Sequence, residues 1–391
     1  MTRAPILLPD DHPLARWQRP ALIVGVVALA LCVVGALRWP QDFFRSYLIA
    51  FMLWFGIGLG SLALLMIHHV AGGAWGAVIR RVLESATRTV PFMALLFLPV
   101  VAGMHELYEW SHAEALAHDA ILQRKSAYLK VPFFLVRAAL YFAAWSIVVH
   151  YMNRWSLEQD RDGSPAVALR IEQLSRGGLV LIGLTMSFAA VDWMMSLEPH
   201  WFSTIYGMLV IGGQAVSAMA FAIPVIALLS VEGGPLGGVV KRDQIHDLGK
   251  LLFAFVMVWT YFGLSQFLII WSADLPEETP WYLKRSAGGW QHVALAIVLV
   301  HFVLPFAALL SREVKRNPRA LAAIAAVVVV ARLVDLFWMV TPAFHPGRLT
   351  LHWMDVLAPV GLGGIWFWLF VWQLRGRPLL AVHDPSLPGE A

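Results

Sequence analysis

Ten continuously apolar runs punctuate the chain, each close to the roughly 20 residues that cross the hydrocarbon of a bilayer. They cover 20–37, 46–67, 89–108, 131–153, 177–198, 203–230, 249–272, 290–311, 319–340 and 351–374. None alternates apolar with polar positions as the strands of a membrane barrel must, so the pattern predicts helices. No linker or low-complexity segment interrupts the series. The expected organisation is a leader over 1–19, one transmembrane domain over 20–375 and a tail over 376–391. Composition agrees: 59% of the residues are apolar and 14% charged, too little polar surface for a soluble domain.

The longest connections are 109–130 and 154–176. In the latter, "AVALRIEQLSR" has helical spacing and reads either as an interfacial helix or as an extension of the fifth run. Charge orients the helices. Of the 29 Lys and Arg, 19 fall on the side of the N-terminus and 8 on the opposite side, while Arg137 and Arg332 lie inside runs. The positive-inside rule then predicts cytoplasmic termini, and it explains the net charge of +4 without a nucleic-acid partner. The leader carries Arg3, Arg16 and Arg19 but no small-residue cleavage site, which predicts an uncleaved first helix. "LAL" before Cys32 resembles a lipoprotein box, but Leu31 stands where a small residue is needed, so a core thiol is expected. One cysteine excludes a Cys-ligated iron–sulfur cluster or a C-x-x-C-H haem site within the chain. Electrons would have to arrive on a diffusible carrier or on another subunit.

A short internal repeat relates the two halves. "VDWMMSLEP" from Val191 aligns with "VDLFWMVTP" from Val334, matching Asp192 with Asp335 and Pro199 with Pro342. The copies lie four helices apart, which preserves direction across the membrane and predicts a parallel repeat. Glycine-rich centres in the second run ("FGIGLGS") and the sixth ("VIGGQAVS") occupy corresponding places and would allow close packing. The fold class expected is therefore an all-α polytopic membrane protein. Two four-helix bundles, helices two to five (46–198) and six to nine (203–340), would have helices one and ten (20–37 and 351–374) at their periphery.

Ionisable side chains in hydrocarbon cost from about 2.5 to more than 10 kcal/mol unless paired or wetted, so they are functional candidates. At about 1.5 Å per residue, Asp192 falls in the outer third of its helix. Arg332 and Asp335 lie at a similar level, one turn apart. His352 and Asp355 open the tenth helix, His105 and Glu106 close the third, and Arg137 lies about six residues into the fourth. Only Gln214 and His301 approach the midplane, so membrane-embedded charge is expected mainly in the outer half. Carboxylates and imidazoles in a wet crevice make a proton relay, and a quinol would need two proton acceptors, for which a His and an Asp on facing helices would suit. No spacing suits a closed metal site. Structural alternatives stand beside these readings. Arg332 could simply pair with Asp335 or Asp355, Arg137 could neutralise Asp192 or Glu106, and Gln214 could join helices.

Three strings, "GMHELYEWSH" (103–112), "VDWMMSLEPHWFSTIYG" (191–207) and "SQFLIIWSADLPEETPWYLKR" (265–285), together resemble the F-type membrane subunit of bacterial alternative complex III, a quinol:cytochrome c or quinol:electron acceptor oxidoreductase. The likeness spans helices two to ten. It implies membership of the wider NrfD/polysulfide reductase group of two-bundle membrane subunits, in the bacterial inner membrane. It also implies partners: a sister quinol-oxidising membrane subunit, an iron–sulfur protein, c-type cytochrome subunits and lipids. The subunit would have no redox centre of its own but could bind menaquinone or ubiquinone and carry protons. Carried onto this chain, the relay residues are His105, Glu106, Asp192, Glu198 and His200, to which depth and pairing add Arg332, Asp335 and Asp355. The alternatives are a quinol-oxidising subunit with its own iron–sulfur partner, and an independent transporter.

Overall fold

The computed structural model describes residues 6–381, and among them ten helices are long and apolar enough to cross a membrane. They are α1 (Pro13–Ala36), α2 (Pro40–Ala71), α3 (Ala74–Ala102), α4 (Val131–Asp162), α5 (Pro165–Leu197), α6 (Tyr206–Leu229), α7 (Arg242–Ala273), α8 (Trp290–Leu310), α9 (Pro318–Ala343) and α10 (Met354–Arg375). Each overlaps a predicted run, although α3 and α5 start well before the runs at 89 and 177, and the described residues contain no strand.

Local chemistry sets the boundaries. Pro13, Pro40, Pro165 and Pro318 stand in first turns, where the missing N–H leaves no hydrogen bond unmade. The Asn317 side chain accepts from the backbone N–H groups of Arg319 and Ala320. Gly163, at φ 58°, closes α4, and α5 starts two residues later. "AVALRIEQLSR" is therefore the first turns of α5, not a separate interfacial helix, and the expected loop 154–176 is helical apart from Gly163 and Ser164. In α8, Pro305 cannot donate to the carbonyl of His301, and the preceding Val298–Val303 adopts π-helical bonding.

Helices α2 and α6 form the centre. Their glycine-rich segments meet: a Cβ at Gly60 would stand 2.2 Å from the backbone oxygen of Gln214, and one at Gly56 would stand 3.2 Å from the Gln214 side chain. Around α2 pack α3 and α5, with α4 against α3 and α5; around α6 pack α7 and α9, with α8 against α7 and α9. Helix α10 is less peripheral than expected. It packs on α1 and α2, and its Trp366 and Phe370 rings touch Phe221 of α6, both at 5.0 Å. Because Gly60 faces backbone, which cannot rotate away, Gly60→Ala should destabilise the protein by about 1–3 kcal/mol. Unfolding by SDS titration in micelles measures this, and an unchanged midpoint would refute the close approach.

Candidate functional site

Asp192, fully buried on α5, faces Arg137 of α4. The guanidinium donates from Nε and Nη2 to the two carboxylate oxygens, each at 2.8 Å, and the Tyr141 hydroxyl donates to Oδ2 at 3.0 Å. Arg137 is therefore the partner of Asp192, not of Glu106. Its guanidinium also donates to the Tyr128 carbonyl at 3.0 Å and lies 3.8 Å from the Tyr128 ring centroid. The fork geometry satisfies both carboxylate oxygens, which an ion pair needs in low dielectric. The Tyr128 hydroxyl sits beside Asp192 and Tyr141, buried and without a hydrogen bond of ordinary geometry. Tyr128 also lines a cleft of about 550 Å³, on the face opposite the N-terminus, whose other walls include Leu129, Val191, Met195, Trp201 and Phe202. At its rim Lys125 donates to the Pro199 carbonyl at 2.5 Å, and burial holds its ammonium pKa below the ordinary value.

The second string is the hub of the three that carry the resemblance. Tyr108 and Trp110 of the first string donate to the carbonyls of Trp193 and Ser196, at 3.0 and 3.2 Å. From the third string, Arg285 and Lys284 donate to the Glu198 carboxylate at 2.7 and 2.9 Å, and Trp281 stacks on Trp201 at 4.9 Å. Glu198 thus clamps the two bundles together at the face opposite the N-terminus, and Arg285 also lies 3.8 Å from the Trp281 ring centroid. Burial lowers the Arg285 pKa, with Glu198 opposing that shift.

The other expected relay members separate from this centre. His105 is exposed and pairs locally with Ser111, while the Glu106 carboxylate has no hydrogen bond or ion pair with a described residue. His200 is exposed and meets Asp119 at 2.5 Å, a contact that is the main cause lowering the Asp119 pKa. Asp355 pairs with Arg45 at 2.9 Å and accepts from Ser46 at 2.6 Å, so it is not the partner of Arg332. The His352 Nδ1 accepts from the backbone N–H of Met354 at 3.4 Å, and the backbone N–H of His352 donates to the Asp355 carboxylate at 2.9 Å, so both contacts are local to the start of α10. Gln214 contacts the Met186 sulfur and fills the α2–α6 seam.

Asp335 does pair with Arg332, one turn away on α9, so the two repeat carboxylates are neutralised differently: Asp192 across helices, Asp335 within one. Arg332 fits because position 213 is glycine; a Cβ there would lie 2.3 Å from the guanidinium carbon. His301, inside the π-helical turn, is fully buried, and neither ring nitrogen has a partner. Its ring centroid lies 4.0 Å from that of Trp259, the two rings tilted by 39°, and the Trp259 indole N–H faces Asp335 without ordinary hydrogen-bond geometry.

Charge is not confined to the outer half, as the sequence suggests. On the face of the N-terminus, Glu84 of α3 is buried among Arg80, Arg81 and Arg377. Its Oε1 accepts from Arg80 Nε at 2.9 Å and Ser156 Oγ at 2.6 Å, and its Oε2 accepts from Arg81 Nη1 at 2.5 Å, with Arg377 Nη1 at 3.5 Å. Gln159 and Asn153 of α4 take further guanidinium N–H groups at 2.8 and 2.9 Å, and Asp160 pairs with Arg81. The sequence reading counts Arg80, Arg81 and Arg88 as basic loop residues. The spacing of Arg80 and Arg81 to Glu84, four and three apart within "AWGAVIRRVLESAT", is the signal that marks them as helical and mutually paired. Between this network and Asp192, the rings of Phe51, Phe55, Phe97, Phe142 and Trp145 surround Trp193, with centroids 4.6–6.1 Å from it.

Fold and buried charge together define an all-helical, multi-pass membrane protein with ion pairs at two depths. Compared with known proteins, the chain matches no family model and no curated protein.

Proposed function

We propose that the chain is a membrane subunit of a respiratory quinol:electron acceptor oxidoreductase of the alternative complex III type, contributing a quinone site and an outer proton path. The observation that carries this reading is the outer cleft backed by Tyr128, with Tyr141 and Asp192 directly behind it. A quinone headgroup is flat and apolar with oxygens at two ends. The cleft supplies aromatic walls in Trp201 and Phe202, and the buried Tyr128 hydroxyl, beside Asp192 and Tyr141, is a polar group whose contacts with them lack ordinary hydrogen-bond geometry. A bound quinol would supply two electrons and two protons, the electrons passing to another subunit. Tyr128 would hold one quinone oxygen by hydrogen bond. Tyr141 would relay a proton between Tyr128 and Asp192, whose charge Arg137 keeps neutralised while the proton is absent. The Phe and Trp layer around Trp193 would stop protons from continuing inward through bundle one.

A photoreactive azidoquinone added to the purified native complex tests this. Labelling is expected within 124–129 and 195–202, and Tyr128→Phe should weaken it about three- to tenfold, the worth of one hydrogen bond. Label found only on other subunits would end the quinone reading, and purification without iron–sulfur or cytochrome subunits would end the assignment to the complex. A second reading, an independent transporter, draws on the π-helical turn at His301 beside the buried Arg332–Asp335 pair, since irregular helices border transport sites. Solute uptake by the purified chain alone in liposomes would favour it.

A further inference from the structure

The face of the N-terminus carries a cleft of about 810 Å³ between the inner part of α3, the end of α4 and the end of α10. Its lining is graded in depth in the same order on all three elements. On α3, Arg88 lies toward the surface, with Pro91 and Phe92 deeper. On α4, which runs toward this face, Arg154 and Arg161 lie shallow and Val149 deep. At the end of α10, Arg377 lies outside Trp372, whose ring meets Phe92 at 6.3 Å. Charge therefore occupies the headgroup level and apolar surface the acyl level, the profile of an amphiphile.

The charge has a definite sign. Four arginines line the cleft against Glu158 and Asp162, and Glu158 is already engaged by Arg170 at 3.7 Å. Glu84 behind the cleft offers no surplus, because Arg80 and Arg81 hold it and Arg377 adds a third guanidinium. Arg88, Arg154 and Arg161 form no hydrogen bond or ion pair through their side chains with any described residue. Arg88 is half-buried, so its guanidinium has lost solvent, and the anion that acts on it, Glu84, is already held by Arg80, Arg81 and Arg377.

We propose that this cleft binds an anionic phospholipid of the adjacent leaflet, its phosphodiester among Arg88, Arg154 and Arg377 and an acyl chain along Phe92 and Trp372. A free phosphate ester would match the arginines but not the aromatic wall. Trp372 is about half exposed, which leaves its ring open to an acyl chain.

The protein in its native assembly, placed in nanodiscs of phosphatidylcholine with a minor share of phosphatidylglycerol, tests the proposal by native mass spectrometry of retained lipid. Preferential retention of phosphatidylglycerol is expected. Arg88→Gln and Arg154→Gln should each lower it about fivefold, the effect of one arginine near a lipid phosphate. Arg176→Gln, removing a guanidinium that pairs with Glu172 on an exposed surface, should leave it unchanged. Retention that survives both cleft substitutions, or that falls equally with Arg176→Gln, overturns the proposal. On the unaltered protein, phosphatidylglycerol should slow amide exchange at the end of α4 and around 374–377 relative to phosphatidylcholine alone. No slowing, or the same slowing from inorganic phosphate in phosphatidylcholine discs, also overturns it, the latter by assigning the site to a soluble phosphate.

Discussion

Replacing Arg137 with leucine is expected to lower the unfolding free energy by about 3–5 kcal/mol, because it leaves the Asp192 carboxylate buried without its cation. The loss should be far larger than that from a substitution at a lipid-facing position of the same helix, such as Leu140, which is 62% exposed. Asp192 would retain the Tyr141 hydroxyl, with that of Tyr128 beside it, and no cation, in an interior lined by rings. The double replacement Arg137→Leu with Asp192→Leu should recover much of the loss, since removing both charges also removes the cost of desolvating them. SDS-titrated unfolding of the two variants and the wild type checks this. If the double variant is no more stable than Arg137→Leu, the pair acts through shape and not through charge compensation.

The second large effect is expected at Glu84. Glu84→Gln keeps the volume and most hydrogen-bonding capacity but removes the anion on which Arg80, Arg81 and Arg377 converge. Three guanidiniums then face one another with Asp160 as the remaining carboxylate of the network, and about 3–5 kcal/mol should be lost. The segment Gly76–Thr87 is buried throughout and packs on α2, α6 and α10, so the damage should spread across both bundles. Arg81→Met in the same chain should restore part of the stability by rebalancing the charge. The measurement is the thermal midpoint in detergent together with the yield of folded protein. A Glu84→Gln variant that unfolds like the wild type would mean the arginines are hydrated in the folded protein and do not depend on Glu84. Arg377 supplies a related observation: burial brings its pKa down to about 10, against the pull of Glu84, as expected for a guanidinium taken out of water.

How much of the site is legible in the sequence differs from residue to residue. Asp192 and Asp335 stand out because a carboxylate in an apolar helix is conspicuous, and both prove buried and paired. Glu198 and His200 are equally conspicuous in the string yet diverge. Glu198 is held by two cations from the loop between α7 and α8, whereas His200 points to Asp119 at the exposed surface. His105 and Glu106 sit in a string that does pack on the hub, but its contacts are made by Tyr108 and Trp110. Tyr128 leaves no mark in the sequence, because a tyrosine near a helix end is the ordinary content of a membrane interface.

The sequence by itself determines the ten spans, their alternating direction and the all-helical class. These depend on runs of apolar residues and on backbone groups that must bond within each helix, both local properties. Its glycine-rich centres also mark where α2 and α6 meet, since close approach needs an absent side chain at a known position. Which charges neutralise one another between helices was decided by tertiary structure. Arg137 reaches Asp192 across 55 positions, Arg45 reaches Asp355 across 310 and Arg377 reaches Glu84 across 293. Pairing of buried charges minimises a Coulomb and desolvation energy over three-dimensional neighbours, and hydropathy along the chain carries no record of those neighbours.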